Sequence, residues 1–221
     1  MAPPDGRRVA LPPWASWIGT PDYDADGVPR YSRWELHADA AVHACALAWA
    51  FGSGLALLTE SAHWRRVVFT CVTVIMFVTS SLYNLLGCGH RIAAEPFRRL
   101  DQATIFVYFA GCYSAFLFDT RANIIVWALC GGGAFAKLFF GRRFEIPGML
   151  AYLALVVAPL AVLSTSDPAY PFVASSIGVI IFGFFAGYLN NVTRGANVFW
   201  HACMVTQNVL VWTALWRGRN A

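Results

Sequence analysis

The sequence is poor in charged residues, and above all in lysine. Only 13% of its 221 residues are Asp, Glu, Lys or Arg, and Lys137 is the one lysine. Soluble domains carry about 25% charged residues. Because 58% of the residues are hydrophobic, the composition excludes a soluble domain for most of the chain and favours a membrane protein. The arginines form no continuous basic face, so we expect no nucleic-acid partner.

Paired cysteine motifs and a cleavable signal peptide are also lacking. The six cysteines lie in apolar runs or at their edges, and none has C-x-x-C spacing. This excludes a zinc knuckle and a disulfide framework. Residues 1–34 are polar and rich in proline and glycine, without the short apolar core and cleavage site of a signal peptide. We expect them to form a cytoplasmic tail, with the first apolar run acting as the insertion signal.

Apolar runs of membrane-spanning character fill the rest of the chain. They predict an all-α membrane protein, a seven-transmembrane-helix bundle over residues 35–217, followed by a short outer tail at 218–221. The runs cover residues 38–58, 67–86, 103–118, 122–140, 149–163, 172–189 and 198–216.

The distribution of arginine and lysine predicts the orientation of the bundle. Most of these residues lie in the N-terminal tail or in the second, fourth and sixth connections, among which we count Lys137. By the positive-inside rule the N-terminus is cytoplasmic and the C-terminus lies outside. We expect a multi-pass protein of a bacterial inner membrane. Glycines in the fourth and sixth spans, Gly131 to Gly133 and Gly183 with Gly187, suggest close helix packing.

Polar side chains within the spans are costly in a bilayer and are therefore candidates for a functional site. With the predicted orientation, we expect the strongly polar residues of the spans to lie only at the cytoplasmic ends. This pattern predicts a polar cavity open to the cytoplasm, or a hydrogen-bonded network that only fixes helix packing. The residues are Glu35, Asp39, His43, Ser80, Asn84, Asp101, Gln102, Asn197 and His201.

The same residues resemble the signature of the hemolysin III family, which groups with the progestin and adipoQ receptors and is related to alkaline ceramidases. Phe97-Arg98-Arg99-Leu100-Asp101 resembles its third-span motif. Ser80 to Asn84 is similar to its S-x-x-x-H motif, and Asn197 to His201 to its H-x-x-x-H motif. Glu35, Asp39 and His43 match its first-span pattern.

The resemblance implies a zinc site and a lipid amide as substrate. In the family, one histidine of the second span and two of the seventh hold zinc, and an aspartate and a serine assist. Here Asn84 and Asn197 stand at two of the ligand positions, His201 is retained, and Gln102 replaces a usual histidine. Amides bind zinc poorly beside imidazole, so we expect no tightly bound cofactor. Residual metal candidates are His201 and His43.

Three functions follow as alternatives. The first is a non-catalytic, hemolysin III-like membrane component that binds lipids or packs with other integral membrane subunits. The second is a metal-dependent lipid amide hydrolase with a rearranged site. His43, His201, Asp39 and Asp101 could hold its metal, with His90 reaching in from the loop, and Asp101 or Ser80 would assist catalysis. The third, a channel or cytolysin, is suggested only by the name of the family.

Overall fold

The computed structural model describes residues 22–23, 29–30, 32–61, 63–86, 91–116, 120–162, 166–189 and 195–217. Two short strands, β1 (Asp22–Tyr23) and β2 (Pro29–Arg30), pair antiparallel within the predicted tail. Eight α-helices follow in the described residues: α1 (Arg33–Glu60), α2 (Trp64–Ser81), α3 (Arg91–Phe116), α4 (Thr120–Phe140), α5 (Glu145–Val157), α6 (Pro159–Val162), α7 (Tyr170–Leu189) and α8 (Ala196–Arg217).

The predicted all-α membrane fold is confirmed. The described part of each predicted run is helical, apart from a turn at Ala158. Within the described residues, four helices are long and apolar enough to cross a membrane: α1, α2 with its extension to Leu85, α4 and α8. The apolar segments Ile146–Val157 of α5 and Tyr170–Phe185 of α7 are shorter, and α3 carries charged residues in its first turns. The count of seven spans and the orientation therefore stay predictions.

Local chemistry accounts for where the helices begin and bend. Ser32 and Glu35 form a reciprocal capping box that satisfies free N–H groups at the start of α1. The helix α5 gives way to α6 at Pro159, which has no N–H to donate and disturbs the preceding turn. A π-helical segment, Leu82–Leu86, continues α2. Such segments widen a helix by one residue per turn and recur at functional sites.

The bundle is organised around α3, which packs against α2, α4, α5 and α8. The helix α1 lies between α2 and α8, and α7 packs along α8. One apolar cluster includes Phe106 of α3 and Ile177 of α7, and a second includes Leu57 of α1 and Phe69 of α2. The helix α4 exposes large apolar side chains, among them Leu129. This face is suited to contact with lipid.

The assignment of Lys137 to the fourth connection is wrong. It lies inside α4, is 1% exposed, and donates to Gln102 Oε1 at 3.1 Å. Its ammonium also lies 5.6 Å from the centre of the Tyr152 ring. A buried cation needs such partners because loss of hydration is otherwise costly. Lys137 thus joins α4 to α3 and α5.

The glycines of α4 differ in their surroundings, contrary to the expectation that all three permit close packing. A Cβ atom on Gly131 or Gly132 would meet nothing within 4 Å, whereas one on Gly133 would lie 2.5 Å from Phe106 of α3. Gly183 of α7 packs inside the bundle, where a Cβ would lie 2.9 Å from Cys203 of α8. The surroundings of Gly187 lie outside the described residues.

We predict that Gly133→Ala destabilises the bundle by about 2 kcal/mol, because the added methyl group overpacks the buried Phe106 ring. The matched control is Gly132→Ala, which adds the same group without a contact and gains helix propensity of up to about 1 kcal/mol. Thermal unfolding of the purified proteins in detergent measures both effects. Equal melting temperatures for the two variants would contradict the described α3–α4 contact.

Candidate functional site

Four helices meet around a polar cluster. Residues from the first halves of α1, α3 and α8 lie beside the end of α2 and its π-helical extension. The cluster borders a cavity with about 30 Å³ open to water, which is room for one or two water molecules. Its polar lining residues are His43, Ser80, Asp101 and His201.

Asp39 of α1 is the centre of the cluster. Its Oδ1 accepts a hydrogen bond from His201 Nδ1 at 2.6 Å, which joins α1 to α8. Its Oδ2 accepts from Asn197 Nδ2 at 3.4 Å and lies 3.7 Å from His43 Nε2. Asp39, His43 and His201 are all buried. The contacts of the carboxylate compensate for its removal from water.

Asn84 is oriented by the backbone of its own helix. Its amide nitrogen donates to the Ser80 carbonyl at 2.9 Å, and a carbonyl can only accept. The NH₂ group therefore also faces His201 Nε2 at 3.4 Å, and Asn84 Oδ1 accepts from Asn197 at 3.5 Å. The π-helical segment carries Asn84 into this position. The two asparagines thus bridge α2, α8 and α1.

His43 is held by Ser81, the neighbour of the predicted site residue Ser80. The Ser81 hydroxyl lies 3.2 Å from His43 Nδ1 and donates to the Phe77 carbonyl at 2.7 Å. The His43 ring is 4.5 Å from the His201 ring, measured between centroids. Ser81 therefore orients His43, whereas its neighbour Ser80 lines the cavity.

Two predicted site residues lie apart from the cluster. Glu35 belongs to the capping box of α1 and also accepts from the Gly195 backbone at 2.6 Å, which fastens the start of α8. Gln102 accepts from Arg98 and Lys137 on another side of α3. Its backbone carbonyl accepts from Tyr152. His90, a predicted additional metal ligand, lies outside the described residues.

The comparisons with known proteins agree with the motif resemblance. The chain is 34% identical to "Hemolysin-3" of Bacillus cereus over 97 residues, and 28% identical to a "Hemolysin-3 homolog" of Bacillus subtilis over 102 residues. The matches cover 40% and 42% of this chain. The chain is a membrane protein that is similar to these two proteins over the matched residues. It spans about half the length of these relatives, 44% and 47%. No protein family model matches the chain.

The residues of this hemolysin III-like chain do not fit the three-histidine zinc site that the resemblance implies. Asn84 directs an N–H toward His201 Nε2, the position where a metal ligand must offer a lone pair. Asn197 donates to Asp39 and Asn84. Hydrogen bonds therefore occupy the positions that would contact the metal, and we derive no zinc chemistry from this set.

A second polar network shows that the expected confinement of polar residues to the cytoplasmic ends is wrong. Gln207 and Asn208 lie in the middle of α8 and are 3% and 0% exposed. Asn208 accepts from Trp49 Nε1 at 2.9 Å and donates to Tyr108 and Thr73 at 3.0 and 3.2 Å. Tyr108 in turn donates to Gln207 at 2.8 Å. The two adjacent amide side chains inside the apolar run 198–216 were the sequence signal that could have indicated this network.

We predict that Asn208→Leu destabilises the hemolysin III-like bundle by about 2 kcal/mol. The change leaves Trp49, Thr73 and Tyr108 without their shared partner where no water replaces it. The control is Thr206→Val on the same helix, whose hydroxyl bonds only to its own helix backbone. Chemical or thermal unfolding in detergent measures the difference. A loss no greater than that of the control would show that the network does not stabilise the fold.

Proposed function

We propose that the chain is a non-catalytic, hemolysin III-like integral membrane protein that serves as a lipid-binding scaffold or as a subunit of a larger membrane complex. In this proposal seven spans cross a bacterial inner membrane, with the N-terminus in the cytoplasm and the C-terminus outside. The polar cluster then lies at the cytoplasmic end and joins the first, second and seventh spans.

The observation that carries the proposal is the closed hydrogen-bond network at the ligand positions implied by the resemblance. Asn84 and Asn197 contact each other and the retained pair Asp39 and His201. A change from histidine to asparagine keeps a polar side chain for bonding and removes metal affinity. These asparagines suit a scaffold that needs the packing contacts and not the hydrolytic chemistry.

The size of the adjoining cavity supports the same proposal. About 30 Å³ is open to water there, whereas pockets for small-molecule ligands measure about 300–1,000 Å³. A lipid acyl chain does not fit into this space in the described conformation. Exposed apolar side chains on α4 and the uncovered small residues Gly131 and Gly132 offer surfaces for lipid or for a neighbouring helix.

One observation favours a second candidate, a metal-dependent lipid amide hydrolase with a rearranged site. Ligand atoms of Asp39, His43 and His201 all lie within 4.8 Å of one another. Asp101 and Ser80 line the cavity beside them. In such an enzyme the metal would activate a water molecule for attack on the amide carbonyl.

A hydrolysis assay separates the two candidates. We expect the purified protein, supplied with zinc and a short-chain ceramide in mixed micelles, to show no turnover above that of its Asp101→Asn variant. The reason is that the asparagines replace two ligands and the cavity excludes the lipid. Release of fatty acid, followed by mass spectrometry, is the measurement.

The double variant Asn84→His/Asn197→His restores the implied three-histidine set and is the matched comparison for this assay. If the unaltered protein hydrolyses ceramide and Asp101→Asn abolishes this turnover, the non-catalytic proposal is overturned and the hydrolase is supported.

A further inference from the structure

The position of one proton on His43 follows from its contacts. The Ser81 hydroxyl has a single hydrogen, and the Phe77 carbonyl, 2.7 Å away, can only accept it. Ser81 Oγ therefore accepts from His43 Nδ1–H at 3.2 Å. In the neutral ring, Nε2 then carries a lone pair. This atom is buried, and it has no hydrogen-bond partner among the described residues.

The lone pair of His43 Nε2 faces a carboxylate. Asp39 Oδ2 is 3.7 Å away, too far for a hydrogen bond. Two electron-pair donors that face each other in a buried site repel unless a proton or a metal ion lies between them. Asp39 and His43 are four residues apart on α1, so they lie on the same face one turn apart. Two ligands with this helical spacing bind a single metal ion in zinc enzymes.

His201 supplies a third ligand from a different helix. Its Nδ1 lies 2.6 Å from Asp39 Oδ1, and one donor atom from each of the three residues lies within 4.8 Å of the others. Zinc bonds to nitrogen and oxygen of about 2.0–2.2 Å place tetrahedral ligand atoms about 3.3 Å apart. The distance of 3.7 Å between His43 and Asp39 is within a few tenths of an ångström of this value.

We propose that Asp39, His43 and His201 form a binding site for a divalent transition-metal ion, with Zn²⁺ as the expected ion. This ligand set differs from the three histidines implied by the family resemblance, because two ligands come from α1 and neither position 84 nor position 197 takes part. One carboxylate and two imidazoles form a donor set that zinc accepts, with the fourth position open to water. The adjoining cavity has room for that water.

Binding requires one proton to move. The ion replaces the proton that joins His201 Nδ1 to Asp39 Oδ1, and this proton passes to Nε2 of the same ring, which gives the other neutral tautomer. Asn84 loses its 3.4 Å contact with Nε2 and keeps its bond to the Ser80 carbonyl. Ser81 orients His43 through Nδ1, as a carbonyl or hydroxyl partner commonly does for a metal-bound histidine.

The proposed site goes beyond the scaffold function and does not require catalysis. An ion held by α1 and α8 links the first and last described helices more strongly than the single hydrogen bond between Asp39 and His201. The proposed site is therefore compatible with a structural role for the metal, and metal binding is measured independently of turnover.

The test is metal binding to the full chain in detergent. The protein is stripped with a chelator, dialysed against Zn²⁺ or Co²⁺, and assayed by mass spectrometry of the metal and by visible absorption of Co²⁺. We expect about one ion per chain and the intense visible bands of four-coordinate cobalt. Asp39→Asn and His43→Gln are expected to weaken binding by at least about tenfold. His37→Gln, an exposed histidine of the same helix, is the matched control.

A second variant separates loss of ligand from loss of fold. His43→Cys keeps a ligand at this position, so we expect it to retain Co²⁺ and to add a near-ultraviolet thiolate-to-cobalt band. Failure of the unaltered protein to bind more than one ion per ten chains would overturn the site, as would equal affinity in His43→Gln.

Metal binding without ceramide turnover supports both proposals. Metal binding with turnover keeps the site and overturns the scaffold function. If neither metal binding nor turnover is observed, the metal site is overturned and the scaffold proposal stands.

Discussion

The contact between Asp39 and His201 is the interaction on which the rest of this site depends. It joins the start of α1 to α8 through a 2.6 Å hydrogen bond between buried side chains. A carboxylate removed from water needs such donors, because desolvation of an isolated charge costs several kcal/mol or more. Asn197 provides a further donor and His43 approaches the second carboxylate oxygen. The need to satisfy this one buried anion therefore holds the first half of α1 against the first half of α8.

The bundle contains polar interactions at two depths. The cluster around Asp39 lies where helices begin and end, whereas Asn208 and its partners lie halfway along α8. Because apolar side chains gain little by leaving lipid for each other, hydrogen bonds and close packing carry much of the specificity of helix association in a membrane. The close approach of Gly133 to Phe106 is an example of the packing contribution. Both kinds of contact converge on the central helix, α3.

Replacement of histidine by asparagine at two positions changes which chemistry is available. In the implied zinc site, three imidazole lone pairs would face one point; here the Asn84 amide directs N–H groups there instead. His43 Nε2, which has no hydrogen-bond partner in the described part of the chain, lies a short distance away and faces Asp39. The donor set of Asp39 and His43 from α1 and His201 from α8 therefore differs from the set that the resemblance implies, a distinction that motif matching alone does not make.

The sequence by itself determined the membrane class, the helical runs and the residues of the polar cluster. Hydrophobic run length and costly intramembrane polar groups leave few alternatives, and the motif spacing identified Asp39, Asn84 and His201. Only the tertiary structure decided that Gln102 turns toward Lys137 and that Ser81 sets the tautomer of His43. These outcomes depend on the rotation of each helix about its axis and on side-chain distances between helices. A linear pattern specifies which residues share a helix face, but not which face of a neighbouring helix they meet.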